Sequence, residues 1–159
     1  MYKLLIFLHI GGAVLFMFAH GATALAMFDL QKHREPEAIR ALMGLRTTQL
    51  WGFSVGFLLL GVTSIILGIM LGNWDRFWMW GSTVVFVVIY ILMSFWGRAY
   101  YDSIQMALDP QGETAKKAKN PETRSLDEVL DSGQPWLLTW IGLGGFAIIL
   151  WMMIYKPTF

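Results

Sequence analysis

The sequence predicts an all-α integral membrane protein: a four-helix bundle with both termini outside (N-out/C-out) and short helices in its cytoplasmic loops. Apolar residues make up 56% of the 159-residue chain and charged residues only 14%, about half the charged share of a soluble domain. Mean hydropathy is +0.53. Four apolar stretches are each long enough to cross a hydrocarbon core of ~30 Å, which takes ~20 helical residues. A backbone in lipid must satisfy its own hydrogen bonds, so these stretches are helices, and residues 1–159 read as one domain. The net charge of +1 provides no basic field to hold nucleic acid. The absence of cysteine excludes disulfides, thiolate catalysis, Fe–S clusters and Cys-based zinc sites.

The first span runs from about Leu4 to Phe28 and carries His9 and His20 but no formal charge. It is too long for a signal peptide and lacks a small-residue cleavage site ahead of a soluble domain, so it is expected to be retained. A loop helix starting at Pro36 follows; proline suits a first helical position, and Ile39, Leu42 and Met43 share a face. The second span, from about Leu50 to Leu71, contains Gly52 with Gly56 and Gly68 with Gly72, two small-xxx-small pairs suited to close helix approach. The third covers about Phe77 to Gly97. The tract 109–122 is polar and turn-rich, and is expected to be mobile. Ser125 and Glu128 have the spacing of a capping box ahead of Val129 and Leu130. The fourth span, Trp136 to Tyr155, carries Gly142, Gly144 and Gly145.

Charge sorts between the loops. Lys32, Arg34, Arg40 and Arg46 follow the first span, and Arg98, Lys116, Lys117, Lys119 and Arg124 follow the third. The opposite side has only Lys3, Arg76 and Lys156. Nine against three places both long loops in the cytoplasm and both termini outside. Trp74, Trp78, Trp80 and Trp151 then fall near the outer interface, and Trp51, Trp96, Trp136 and Trp140 near the inner one, as an aromatic belt requires.

Chemistry has to come from the few polar groups in the spans. His9 and His20 are eleven residues apart, about 20° beyond three full turns, so they share one helix stripe ~16 Å apart along the axis. Gly12, Ala13 and Phe16 lie between them on that stripe. An imidazole in lipid needs a partner, which makes each histidine a functional candidate; a hydrogen bond to a neighbouring Ser, Thr or carbonyl is the plain alternative. His33 lies in a charged loop and is expected to be solvated. His20 and Met93 are each sixteen residues from the outer ends of their spans. A haem iron accepts His/Met ligation, and copper(I) favours thioether beside imidazole. Arg98, at the inner end of the third span with Tyr100, Tyr101 and Asp102, is placed to pair a propionate or a lipid phosphate, or simply to anchor at the headgroups. The remaining hydroxyls are expected to bond to carbonyls one turn back. No Asp, Glu, Lys or Arg lies deep in a span, which counts against a proton-coupled pump or a charge-selective pore.

The segment LLIFLHIGGAVLF resembles the first helix of a broad group of small bacterial membrane proteins, among them copper-resistance D-type proteins and the four-helix protoporphyrinogen oxidase. The closer likeness is to uncharacterised integral membrane families, whose first helix continues into a His-Gly pair and a loop like LQKHREPEAIRAL. It covers about the first hundred residues. In the oxidase family the first-helix histidine is understood to ligate haem, and His9 is the matching position; that family's lysine partner has no recognisable counterpart here.

Three functions fit these residues. The leading one is a b-type haem or porphyrin protein for electron transfer or redox chemistry, with His9 and His20 as axial ligands, Gly12 and Ala13 leaving space for the ring, and Met93 and Arg98 as further contacts. The second is copper(I) handling at the outer face by His9 with Met70, Met79, Met152 and Met153. The third is a cofactor-free accessory subunit that docks in a homodimer or larger membrane complex through its glycine faces.

Overall fold

A computed structural model describes residues 1–117 and 124–157. Among the described residues seven helices follow in order: α1 Tyr2–Leu30, α2 Pro36–Gly44, α3 Arg46–Met70, α4 Phe77–Leu108, α5 Glu113–Lys117, α6 Leu126–Leu130 and α7 Gln134–Tyr155. Four of these segments are long and apolar enough to cross a membrane, as the composition requires. The described residues contain no strand.

The four long helices form two close pairs, α1 with α3 and α4 with α7, and α1 also meets α7. Glycines let the backbones approach. A Cβ on Gly56 would lie 2.8 Å from the Phe16 amide nitrogen, and one on Gly12 would lie 3.1 Å from the Leu60 nitrogen. On the other pair, Gly145 makes room for Ile89 and Gly81 for Met152. Lipid tails are as apolar as leucine, so helix association rests on this fit rather than on hydrophobic expulsion. Gly72 has a different use from its partner Gly68. Its φ of +61° closes α3 in a Schellman turn, with Asn73 N–H bonded to Gly68 O and Gly72 N–H to Ile69 O. Nothing lies near its missing Cβ, so it is a turn residue rather than half of a packing pair.

At the end of the bundle where the long loops lie, the chain builds a second layer. α4 runs eleven residues past the expected limit at Gly97, to Leu108. Its 32 residues extend ~48 Å, well beyond a hydrocarbon core. The extension packs Tyr100, Tyr101 and Ile104 against Leu30 of α1, Ile39 of α2, and Val129 and Leu130 of α6. Leu42 and Met43 join from the same face of α2. Ser125 caps α6 in a full capping box, its hydroxyl accepting from Glu128 N–H while the Glu128 carboxylate accepts from Ser125 N–H. Arg34 ties the two loops together through Asp127 and Asp131, and Gln31 donates to the carbonyls of Leu130 and Ser132. The polar tract 109–122 differs from the sequence expectation in part: Glu113–Lys117 is helical. Residues 118–123 lie outside the described residues.

Candidate functional site

The space between the two helix pairs is filled differently along its length. In the middle of the bundle five rings close it. Phe16 of α1 meets Phe53 of α3 at 4.6 Å between centroids, Phe57 stacks on Tyr90 of α4 at 3.9 Å and on Phe86 at 4.7 Å, and Phe86 returns to Phe16 at 5.8 Å. Toward the loop end the rings stop and a cavity of about 510 Å³ remains, within the usual range for small-molecule and cofactor sites. His20 and Met27 line it from α1, Arg46 and Phe53 from α3, Tyr90, Met93, Arg98 and Asp102 from α4, and Thr139 from α7.

His20 is the unusual member. Its side chain is 2% exposed, and neither ring nitrogen has a hydrogen-bond partner among the described residues. The Thr139 backbone comes near without meeting hydrogen-bond geometry. A neutral imidazole always carries one N–H and one lone pair, and leaving such groups buried and unpaired costs about 1–3 kcal/mol each. The ring rests in a notch made by Gly142, where any Cβ would overlap it. Several hydroxyls in the spans are paired within their own helices. Thr139 donates to Pro135 O, Ser82 to Trp78 O, Thr83 to Met79 O and Thr23 to Ala19 O, each one turn back. Within the spans His20 therefore stands out as a buried polar side chain without a partner; Tyr100 OH and Ser132 Oγ, both at the loop end, are also buried and unpartnered among the described residues.

His9 has found one. Its Nδ1 lies 3.1 Å from Thr63 Oγ1, and that hydroxyl sits 2.6 Å from Leu59 O. The single hydroxyl proton goes to the carbonyl, so Thr63 accepts from His9 and the histidine carries its proton on Nδ1. This is the plain alternative that the sequence offered for either histidine.

The structure brings three of the sequence-selected residues together on one cavity, His20, Met93 and Arg98. His9, Gly12, Ala13 and Met79 are not among its lining residues. Gly12 faces Leu59 and Leu60 of α3. Met79 is buried beside Gly68, and Met152 fills the space beside Gly81, so both thioethers act as packing. Sequence reasoning missed Arg46 and Gly142 as site residues. Arg46 carried no signal beyond its charge in a loop, and Gly142 read as one of three similar glycines.

The mouth of the cavity is charged. Asp102 lies 3.5 Å from Arg46 through one carboxylate oxygen and 3.5 Å from Arg98 through the other, and the Arg46 guanidinium lies 4.8 Å from the centre of the Tyr101 ring. The site thus has an imidazole and two thioethers in its wall, aromatic rings at its floor and two guanidinium groups at its entrance. Among the described residues no three His, Asp or Glu side chains gather as a metal cage.

A family model described as predicted integral membrane protein (DUF2269) matches residues 3–157. No curated protein and no solved structure matches the chain.

Proposed function

The chain belongs to this DUF2269 family of integral membrane proteins, and from that premise we propose that it binds a b-type haem or porphyrin in the loop-end cavity, with His20 as the protein ligand. The observation that carries this is the buried, unpartnered imidazole on the wall of a cavity large enough for a cofactor. Haem suits the residue set because the macrocycle supplies four of the iron's ligands and the protein need supply only one or two, histidine alone or histidine with methionine. Two methionines, Met27 and Met93, line the same cavity, and Met93, on the facing helix α4, is the one we assign as the second. Tyr90 and Phe53 offer flat faces for the ring. Haem bound there would supply one-electron redox chemistry; the chain would bind it, orient it and exclude water. The charge asymmetry of the loops supports a cavity mouth toward the cytoplasm, and the likeness of the first helix to small bacterial membrane proteins supports a bacterial inner membrane setting.

The test is an absorption spectrum of detergent-purified protein from haem-replete cells, oxidised and then dithionite-reduced. A Soret band with sharp reduced bands is expected, lost in His20→Ala and kept in His9→Ala. A colourless wild type, or a His20→Ala protein with an unchanged spectrum, would overturn the assignment.

A further inference from the structure

Resting on the haem assignment above, the geometry of the mouth points to a finer property: we propose that Arg46 and Arg98 select a ligand bearing carboxylates, and that Asp102 holds the two guanidinium groups in place until that ligand arrives. Arg46 begins α3 and Arg98 lies on α4, so the two arginines come from the two separate helix pairs and meet only at this cavity. Between them stands one carboxylate, leaving the cluster with a net charge of +1. Each arginine reaches Asp102 through a single nitrogen at 3.5 Å. Well-made guanidinium–carboxylate contacts are shorter, about 2.7–2.9 Å, and are frequently two-pronged. A guanidinium has five N–H donors, so most of the donor capacity at this mouth is unused by Asp102.

Position and solvation strengthen the case for Arg46. Its side chain is 24% exposed, against 78% for Arg98, and it lies against the Tyr101 ring at 4.8 Å. A half-buried, stacked guanidinium is pre-organised, which reduces what is lost on forming new hydrogen bonds. It is also less screened than a surface charge. A flat apolar ligand with acidic groups on one edge matches the site from end to end: rings at the floor, imidazole in the wall, cations at the entrance. Protoporphyrin has this shape, with its two propionates on one edge. Arg46 is then the main determinant of ligand choice, Arg98 the outer assistant, and Asp102 a placeholder that competes with the incoming carboxylate.

The experiment compares haem with haem dimethyl ester, whose propionates are blocked, by spectral titration of wild type, Arg46→Gln and Asp102→Asn in neutral detergent. The wild type should bind haem about tenfold or more tightly than the ester, the range expected for a lost charged hydrogen bond. Arg46→Gln should lose about that factor for haem and little for the ester; Asp102→Asn should gain for haem only. Equal binding of haem and ester by the wild type would overturn carboxylate selection while leaving the haem assignment standing, and that comparison needs no variant to fold. If neither ligand shifts the spectrum, the haem assignment itself fails, and this inference with it. Competition by an added anionic phospholipid in wild type but not in Arg46→Gln would assign the arginines to lipid phosphate and overturn the proposal.

Discussion

The loop-end layer and the membrane-spanning bundle are built from similar residues under opposite rules. In the loop-end layer Leu30, Ile39, Tyr100, Ile104 and Leu130 are each 0% exposed. In the spans Phe7, Phe18, Leu25 and Phe95 are all 70% exposed or more. Water drives apolar side chains together, so the loops and the projecting end of α4 bury theirs in one cluster. Lipid exerts no such force, so the spans leave large side chains outward and hold together through glycine contacts. The cavity lies at the junction, where the aromatic filling of the bundle ends and the charged residues of the loop end begin. A site there has apolar walls and a polar mouth, which suits an amphipathic ligand.

The largest test of this contrast is Ile39→Ala in the loop-end cluster. It removes a fully buried side chain on the water-facing side and should cost about 2–5 kcal/mol, read as a clear fall in the unfolding temperature in detergent. Gly56→Ala probes the other rule. The new Cβ would press on the Phe16 backbone at 2.8 Å, which cannot rotate away, so a loss of about 1–3 kcal/mol from overpacking is expected, together with looser association of α1 and α3. Phe18→Ala should have the smallest effect, within about 0.5 kcal/mol, because the ring is 75% exposed and its solvent is lipid or detergent in both states. If Phe18→Ala proved as damaging as Ile39→Ala, that face of α1 would be an interface with another chain, and the contrast between the two regions would fail.

Much of the architecture was legible in advance because it depends on local physics. Apolar run length specified the spans, Pro36 the start of α2, and Ser125 with Glu128 the cap of α6. The end of α4 was not legible: the residues after Gly97 are polar enough to read as loop, and their helix is held by contacts with α1, α2 and α6. The site was half legible. Eleven-residue spacing put His9 and His20 on one stripe, and depth matched His20 with Met93, which do line one cavity. Spacing alone could not tell the two histidines apart. One found a hydroxyl on α3, the other a glycine notch on α7.

The sequence by itself determined the solvent, the number of spans and the local helix signals, since hydropathy, helical period and capping are properties of consecutive residues. Tertiary structure alone decided that α1 pairs with α3 and α4 with α7, that Gly142 makes the notch for His20, and that Arg46, Arg98 and Asp102 share one mouth. Those outcomes depend on which helix surfaces fit closely enough for backbones to touch, and residues far apart in the chain become neighbours only through that fit.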